Sequence, residues 1–343
     1  MKRVLVGLLV ILLLSIGLSG IGFAEEEKVL NLYFSAAENW GALLAEKFEE
    51  YAGCRVDWIR MSSAETYARI KAEKDNPRGD VWAGGTLDPH TVAANEGLVV
   101  PYKPSNWDEQ IPTLRDPVGD LKVLGMYTGV LGFGVNVPLL EAEGIPIPHS
   151  WADLLDPRLK GYIGMANPNT SGTALTTLGT LVQLFGEDEA FEYLKKLHQN
   201  IGTYTKSGAA PGVLVGRGEL GVCIIFLHDV LKHAEWGYPI TPIVPEEGTG
   251  FEIGGLNLIA GAPHPELAKK FIDWALSAEV QALMPTVKSY QLPTNKNCPV
   301  PEKAQQIFDD AQEKLIAYDF EYVGENALRW IERWTAEVYP LPR

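Results

Sequence analysis

Beyond residue 27, short apolar runs alternate with stretches whose apolar positions recur at helical spacing. Val29 to Phe34 forms a β-rich run, and Trp40, Leu44, Phe48 and Tyr51 then recur every three to four residues. The pattern predicts a strand, the loop Ser35-Ala36-Ala37-Glu38, and a helix. The run Val56 to Ile59 ends at Ser62-Ser63-Ala64-Glu65 before a helical stretch from Thr66 to Glu73, and Asp80 to Ala83 ends at Gly84-Gly85-Thr86. An α/β fold is therefore expected, with three strands that end in small, hydroxyl-rich loops. Ligands of open α/β sheets collect beyond the carboxyl ends of strands, where such loops leave backbone N–H groups unobstructed. Any one loop is ordinary turn chemistry; three in series point to a site.

A second block opens at Tyr127 to Asn136, an apolar, glycine-spaced segment long enough to cross from one lobe to another, stopped by Pro138, Pro146 and Pro148. Gly132 and Gly134 imitate the start of a dinucleotide fingerprint. Val137 stands where its third glycine would be and Pro138 follows, so a Rossmann cofactor site is rejected. An amphipathic stretch from Ser150 to Lys160 leads to a short strand, Gly161 to Ala166, and the loop Asn167-Pro168-Asn169-Thr170-Ser171-Gly172-Thr173. Ala174, Leu175, Leu178, Val182 and Phe185 then repeat at helical spacing, with Gly186 as a stop and Thr170 or Ser171 as N-cap.

That junction is the strongest anion signal in the chain, because a Ser/Gly/Thr loop feeds a helix whose first N–H groups have no internal partner. Lys206-Ser207-Gly208 before the helical Ala209 to Arg217 repeats the arrangement, and Lys206 is expected to face the same anion. One helix end contributes only ~0.3 to 1 kcal/mol to a surface anion. Several must converge in a cleft.

Composition narrows the classes. The 343 residues carry 29 basic and 44 acidic side chains, a formal charge of −15, which argues against a nucleic-acid partner. Single cores seldom grow past ~250 to 300 residues, so two lobes with a cleft between them are expected. Lys2 and Arg3, the apolar run Val4 to Phe23 and the small residue Ala24 read as a secretory signal cleaved after about Ala24, leaving a charge of −17. No Cys follows that run to accept a lipid, so a soluble periplasmic protein is expected. Cys54, Cys223 and Cys298 are far apart and show no metal spacing, and Cys223 reads as a core residue. His228 and His233 are five apart, which does not suit helical metal ligands. No Gly-x-Ser-x-Gly elbow, phosphate-loop motif or His-Glu-x-x-His helix is present, so the chain is not read as an enzyme.

The order of these features, with Gly216-Arg217-Gly218-Glu219-Leu220-Gly221 before an apolar strand and Phe251-Glu252-Ile253-Gly254-Gly255-Leu256 later, resembles solute-binding proteins of ABC importers. It is similar to the branch that includes ferric-ion-, hexose-phosphate- and aminoethylphosphonate-binding proteins, over nearly all of residues 28 to 300. The resemblance implies a two-lobed type II periplasmic binding protein fold with a ligand cleft between lobes. Lobe 1 would span 25–128 and 256–300, lobe 2 129–255, and C-terminal helices over 301–343 would pack on lobe 2. Ferric-binding members carry two adjacent tyrosines after the strand that here reads Cys223 to Leu227; this chain has His228-Asp229. One imidazole and one carboxylate are poor replacements for two phenolates on a hard trivalent cation.

Sugar-phosphate-binding members resemble the chain in a His-Asp pair at that strand end and a Glu in the Phe-Glu-Ile-Gly segment. The resemblance implies that His228, Asp229 and Glu252 hold sugar hydroxyls, with two ionised carboxylates as acceptors. The phosphate end is expected at Ser35, Ala36, Ala37, Ser63 and Thr86 from one lobe and Ser171, Gly172, Thr173 and Ser207 from the other. Other readings stay open: Asp229 as the cap of a helix Val230 to Trp236, Glu252 as a solvated carboxylate beside Glu246-Glu247, Trp82 as apolar sugar wall or core, and Trp330, Trp334 and Val338 as a packed face. The expected activity is capture of a phosphorylated sugar by a monomer without cofactor or metal, for delivery to a membrane permease. The alternatives are ferric ion, 2-aminoethylphosphonate or another small organic anion, and an exported phosphatase.

Overall fold

The structure is a computed structural model that describes residues 28–343, so the expected leader over residues 1–24 lies outside the described residues. The strands are β1 (Val29–Phe34), β2 (Arg55–Arg60), β3 (Val81–Thr86), β4 (Val99–Val100), β5 (Leu124–Val135), β6 (Ile163–Ala166), β7 (Ile201–Thr205), β8 (Val222–Phe226), β9 (Thr241–Ile243), β10 (Phe251–Ile259) and β11 (Leu292–Pro293). The α-helices are α1 (Glu38–Ala52), α2 (Ser63–Ala72), α3 (Leu87–Asn95), α4 (Pro112–Arg115), α5 (Val137–Ala142), α6 (Gly172–Phe185), α7 (Glu187–His198), α8 (Ala210–Gly216), α9 (Leu227–Glu235), α10 (Pro265–Ala275), α11 (Ala278–Gln281), α12 (Glu302–Ala311) and α13 (Phe320–Glu337).

The main strand order is β2-β1-β3-β10-β5-β8-β6-β7. β1 pairs in parallel with β2 and β3, and β6 in parallel with β7 and β8, so each end of the sheet is a parallel unit with helices on its faces. Two antiparallel strands join the units. β10 bonds β3 over Gly254 to Leu258 and β5 over Phe251 to Leu256. β5 bonds β10 through its first half and β8 through Leu131 to Val135. The glycine-spaced run at Tyr127 is therefore the crossing strand that its composition suggested.

One buried cluster lies within the first unit, and a second fills the other unit and reaches into the first through Trp82 and Leu87. Leu30, Leu32, Phe34, Trp40, Phe48 and Phe271 pack in the first, and Phe133, Trp151, Leu178 and Phe191 in the second. Trp330, Trp334 and Val338 are fully buried, as their stripe predicted, and α13 packs against both α3 and α6. The stretch from Ser150 to Lys160 is broken into two 3-10 turns, Ala152–Leu155 and Pro157–Leu159. Pro157 cannot donate to a helix, and it pushes Asp156 out of the helical region. Helix α9 starts at Leu227 with Phe226 as N-cap, so Asp229 lies in the first turn and the capping alternative fails. Among the described residues no helix is long and apolar enough to cross a membrane.

Candidate ligand-binding cleft

Both parallel units point strand carboxyl ends at one cavity of about 90 Å³ that is partly open to solvent. The β1–α1 loop contributes Ser35, Ala36 and Ala37, β2 and the turn after it contribute Arg60, Ser62 and Ser63, and the β3–α3 junction contributes Gly85 and Thr86. Opposite them stand Ser171, Gly172 and Thr173 at the start of α6, and Ser207, Gly208 and Ala209 before α8. The far end is made of Phe226, His228, Asp229, Lys232 and Glu252. The residues expected at the phosphate and at the sugar hydroxyls all line this cavity, whereas Lys206 and Trp82 do not.

At the hydroxyl-rich end, three helices lack a side-chain cap: α1, whose N-cap is Ala37, α3, whose N-cap is Thr86, and α8, whose N-cap is Ala209. No N-cap side chain accepts from their first N–H groups, although Asn39 Oδ1 accepts from Trp40 N–H at 3.1 Å in α1. The Thr86 hydroxyl is itself buried without a hydrogen-bond partner. By contrast α2 carries a capping box between Ser62 and Glu65, and Ser171 accepts from Ala174 N–H at the start of α6. Ser63 Oγ accepts from Thr86 N–H at 3.2 Å, which leaves its own proton for a ligand. Ser35 is different. Its hydroxyl accepts from Trp82 Nε1 at 2.8 Å and lies 2.9 Å from Thr66 Oγ1, whose own proton goes to Ser62 O. The Ser35 proton therefore goes to Thr66. Trp82 is fully buried and stacked on His90 with ring centroids 3.6 Å apart, so it braces Ser35 from the core and forms no wall of the cavity.

The two sides meet closely. A Cβ built on Gly172 would lie 2.0 Å from Thr86 Oγ1 and 3.1 Å from Ser63 Oγ, so only glycine lets α6 approach β3 this far. Lys206 does not face the cavity as expected; it reaches across the mouth to Glu65 Oε1 at 2.5 Å. That lysine, with the capping box at Ser62, holds the Glu65 carboxyl down at about 2.

At the far end, His228 Nε2 stands 3.7 Å from both Asp229 Oδ2 and Glu252 Oε1. Its Nδ1 is buried without a partner, and a Cβ on Gly129 would come within 2.5 Å of that atom. Burial pushes the imidazole down to about 4, so it is neutral at pH 7. Burial opposes ionisation of Asp229, but Lys232 and His228 outweigh it and hold the carboxyl at about 2. Lys232, on the next turn of α9, is hydrogen-bonded to Asp229 Oδ1 and only 8% exposed. Glu252 goes the other way: burial, then the charges of Asp229 and Asp88, raise it well above the ordinary carboxylate value. The two acids expected to hold the sugar are therefore unequal: Asp229 is held as a carboxylate, whereas burial and its neighbours favour the protonated form of Glu252. Tyr127 accepts the Gly85 N–H at 2.8 Å, and burial with the nearby Glu252 keeps its phenol neutral.

Among the described residues no group of three or more His, Cys, Asp or Glu could hold a metal ion. The sequence reading missed Arg60, Ser62, Tyr127, Lys232 and Gln291 as cavity residues. Lys232 carried a signal, since it lies three positions beyond Asp229. Nothing in the local pattern singled out Arg60 or Gln291.

A family model described as bacterial extracellular solute-binding protein matches residues 89–326. A Haemophilus influenzae protein is 43% identical over 332 residues, 95% of each chain. The periplasmic binding protein AfuA from Actinobacillus pleuropneumoniae, solved with exogenous fructose-6-phosphate bound, is 42% identical, with a TM-score of 0.88 over 92% of this chain and all of that one. The periplasmic binding protein P5PA is 36% identical, with a TM-score of 0.86 over 91% of this chain and all of that one. A putative 2-aminoethylphosphonate-binding periplasmic protein of Salmonella typhimurium is 27% identical over 71% of each chain.

Proposed function

The chain belongs to the bacterial extracellular solute-binding proteins of ABC importers, and from that premise we propose that its solute is a hexose phosphate. The observation that carries this reading is the polarity of the one cavity. One end offers hydroxyls and the uncapped starts of α1 and α3, which suit a phosphate. The other end offers one ionised acceptor, one protonated acid and a neutral imidazole, which suit sugar hydroxyls that donate and accept. The fructose-6-phosphate in the similar AfuA structure supports the same assignment.

In this reading Ser35, Ala36 and Ala37 act through backbone, and Ser63, Thr86, Ser171, Gly172, Thr173 and Ser207 complete the phosphate cradle. His228, Asp229 and Glu252 hold the sugar. Residues 25–128 and 256–300 would move as one lobe against 129–255, closing on a ligand that touches both. The closed, periplasmic form would then present the solute to a membrane permease.

A thermal-shift panel tests the assignment with fructose 6-phosphate, glucose 6-phosphate, inorganic phosphate, 2-aminoethylphosphonate, free hexoses and ferric citrate. Hexose phosphate at about a hundred times its Kd should add ~2.7 kcal/mol of apparent stability. Shifts with ferric salts alone, or with free hexose alone, would remove the assignment. Release of inorganic phosphate from the hexose phosphate would favour a phosphatase instead.

A further inference from the structure

Lys232 has no part in the reading above, yet it lines the cavity, is almost fully buried, and spends its charge on Asp229 inside the binding site. We infer that Lys232 is a specificity-determining residue, an internal cation that occupies Asp229 and so excludes solutes whose far end carries an ammonium group. The inference rests on the hexose-phosphate reading and deepens it.

A phosphate-type cradle with an acidic far end could serve two chemical classes. One is a phosphorylated polyol, whose tail needs hydrogen-bond partners without net charge. The other is an aminoalkyl phosphonate or phosphate, whose ammonium needs an uncompensated carboxylate, since an unpaired charge is costly out of water. Two acidic residues at the far end would suit the second class as well as the first. The structure removes that option at both positions. Asp229 is already paired with Lys232, through one oxygen, while its Oδ2 stays near His228 and available to a hydroxyl. Glu252 is buried 3.7 Å from His228, and burial with the nearby Asp229 and Asp88 charges favours its protonated form, which offers an ammonium no counter-charge.

Lys232 is held for this task. It stands three residues after Asp229 on α9, so its reach is set by one helical turn. Its ammonium lies 5.7 Å from the Trp236 ring centroid, which adds a cation–π contact. A ligand ammonium at Asp229 would have to share the carboxylate with this like charge. Arg60 is the other cation lining the cavity, and its Nε donates to Ala36 O at the phosphate end. The two cations therefore sit at opposite ends with different partners.

The test compares Kd values by calorimetry for fructose 6-phosphate and 2-aminoethylphosphonate on the mature protein and on Lys232→Met, Lys232→Gln and Lys232→Arg. Wild type should bind fructose 6-phosphate and discriminate against the aminophosphonate. In Lys232→Met the ratio of the two Kd values should move at least ~tenfold toward the aminophosphonate, equivalent to ~1.4 kcal/mol. Lys232→Gln keeps a donor beside Asp229 without the charge and should move the ratio the same way, which guards against a Met variant that folds poorly. Lys232→Arg should keep the wild-type preference. Ratios within about twofold of wild type in both neutral variants would overturn the inference while leaving the hexose-phosphate reading intact. Tight aminophosphonate binding by the wild type itself would overturn both.

Discussion

His228 Nε2 and Glu252 Oε1 face each other at 3.7 Å, too far for a hydrogen bond and too close to ignore. Burial favours the neutral form of both: it pushes the imidazole down to about 4 and, with the Asp229 and Asp88 charges, raises the carboxyl. The gap between them is the space that a ligand hydroxyl would bridge, accepting from the acid and donating to, or accepting from, the ring.

The unequal carboxyls separate two substitutions that look alike. Glu252→Gln preserves shape and neutrality and should change the fructose 6-phosphate Kd by less than about fivefold. Asp229→Asn removes an ionised acceptor and leaves Lys232 unpaired, a loss of about 1.5–3 kcal/mol, or more than tenfold in Kd. Inorganic phosphate should bind equally to both variants. Calorimetry that found the two Asn and Gln effects equal would contradict the protonation pattern.

Gly172 predicts how the cleft responds to a single methyl. Gly172→Ala would drive a Cβ against Thr86 Oγ1 and prop the two sides apart. Overpacking of this kind costs about 1–3 kcal/mol, so ligand affinity should fall by about tenfold or more. The unliganded melting temperature should change little, since an open form escapes the clash. Small-angle scattering should show that ligand no longer contracts the variant.

Asp88 should give the unliganded protein a pH signature. It is fully buried, with Thr176 donating to it at 3.0 Å and Tyr318 at 3.3 Å, and burial lifts it to about 7. A raised acid binds its proton more tightly folded than unfolded, so its stability contribution is full below about 4 and is lost as pH rises through about 7. His90 and His228, both lowered to about 4, act in the opposite sense but have finished by about 6.5. Asp88→Asn should therefore gain melting temperature relative to wild type as pH rises from 5 to 8. A constant difference across that range would rule the effect out.

The ion pair at the mouth should matter little. Lys206 is 73% exposed in its pair with Glu65, and exposed pairs contribute about 0–1 kcal/mol. Lys206→Ala should raise Kd less than about fivefold, and high salt should erase even that difference from wild type.

Much of this was legible in the sequence because it is local. The strand-loop-helix order, the crossing strand at Tyr127 and the N-cap at Ser171 follow from periodicity and turn chemistry, and the loops named from them converge on one cavity. What was not legible depends on neighbours distant in the chain. Trp82 is core because His90 stacks on it, Ser35 has spent its proton on Thr66, and Lys206 meets a glutamate about 140 residues earlier. The protonation of Glu252 depends on Asp229 and Asp88, which no local pattern brings together.

The crossing strands have a last consequence. β5 and β10 are bonded to each other over Phe251 to Leu256, and this stretch carries both Glu252 and, on the facing strand, the Gly129 against which His228 rests. The fulcrum of any rotation between the units and the rear wall of the cavity are thus the same few residues. A solute seated there would lie on the axle, where angular travel produces the least displacement, while the hydroxyl-lined rims swing furthest. Opening would strip the phosphate end first and leave the sugar end engaged longest, so release should proceed from the outside inward.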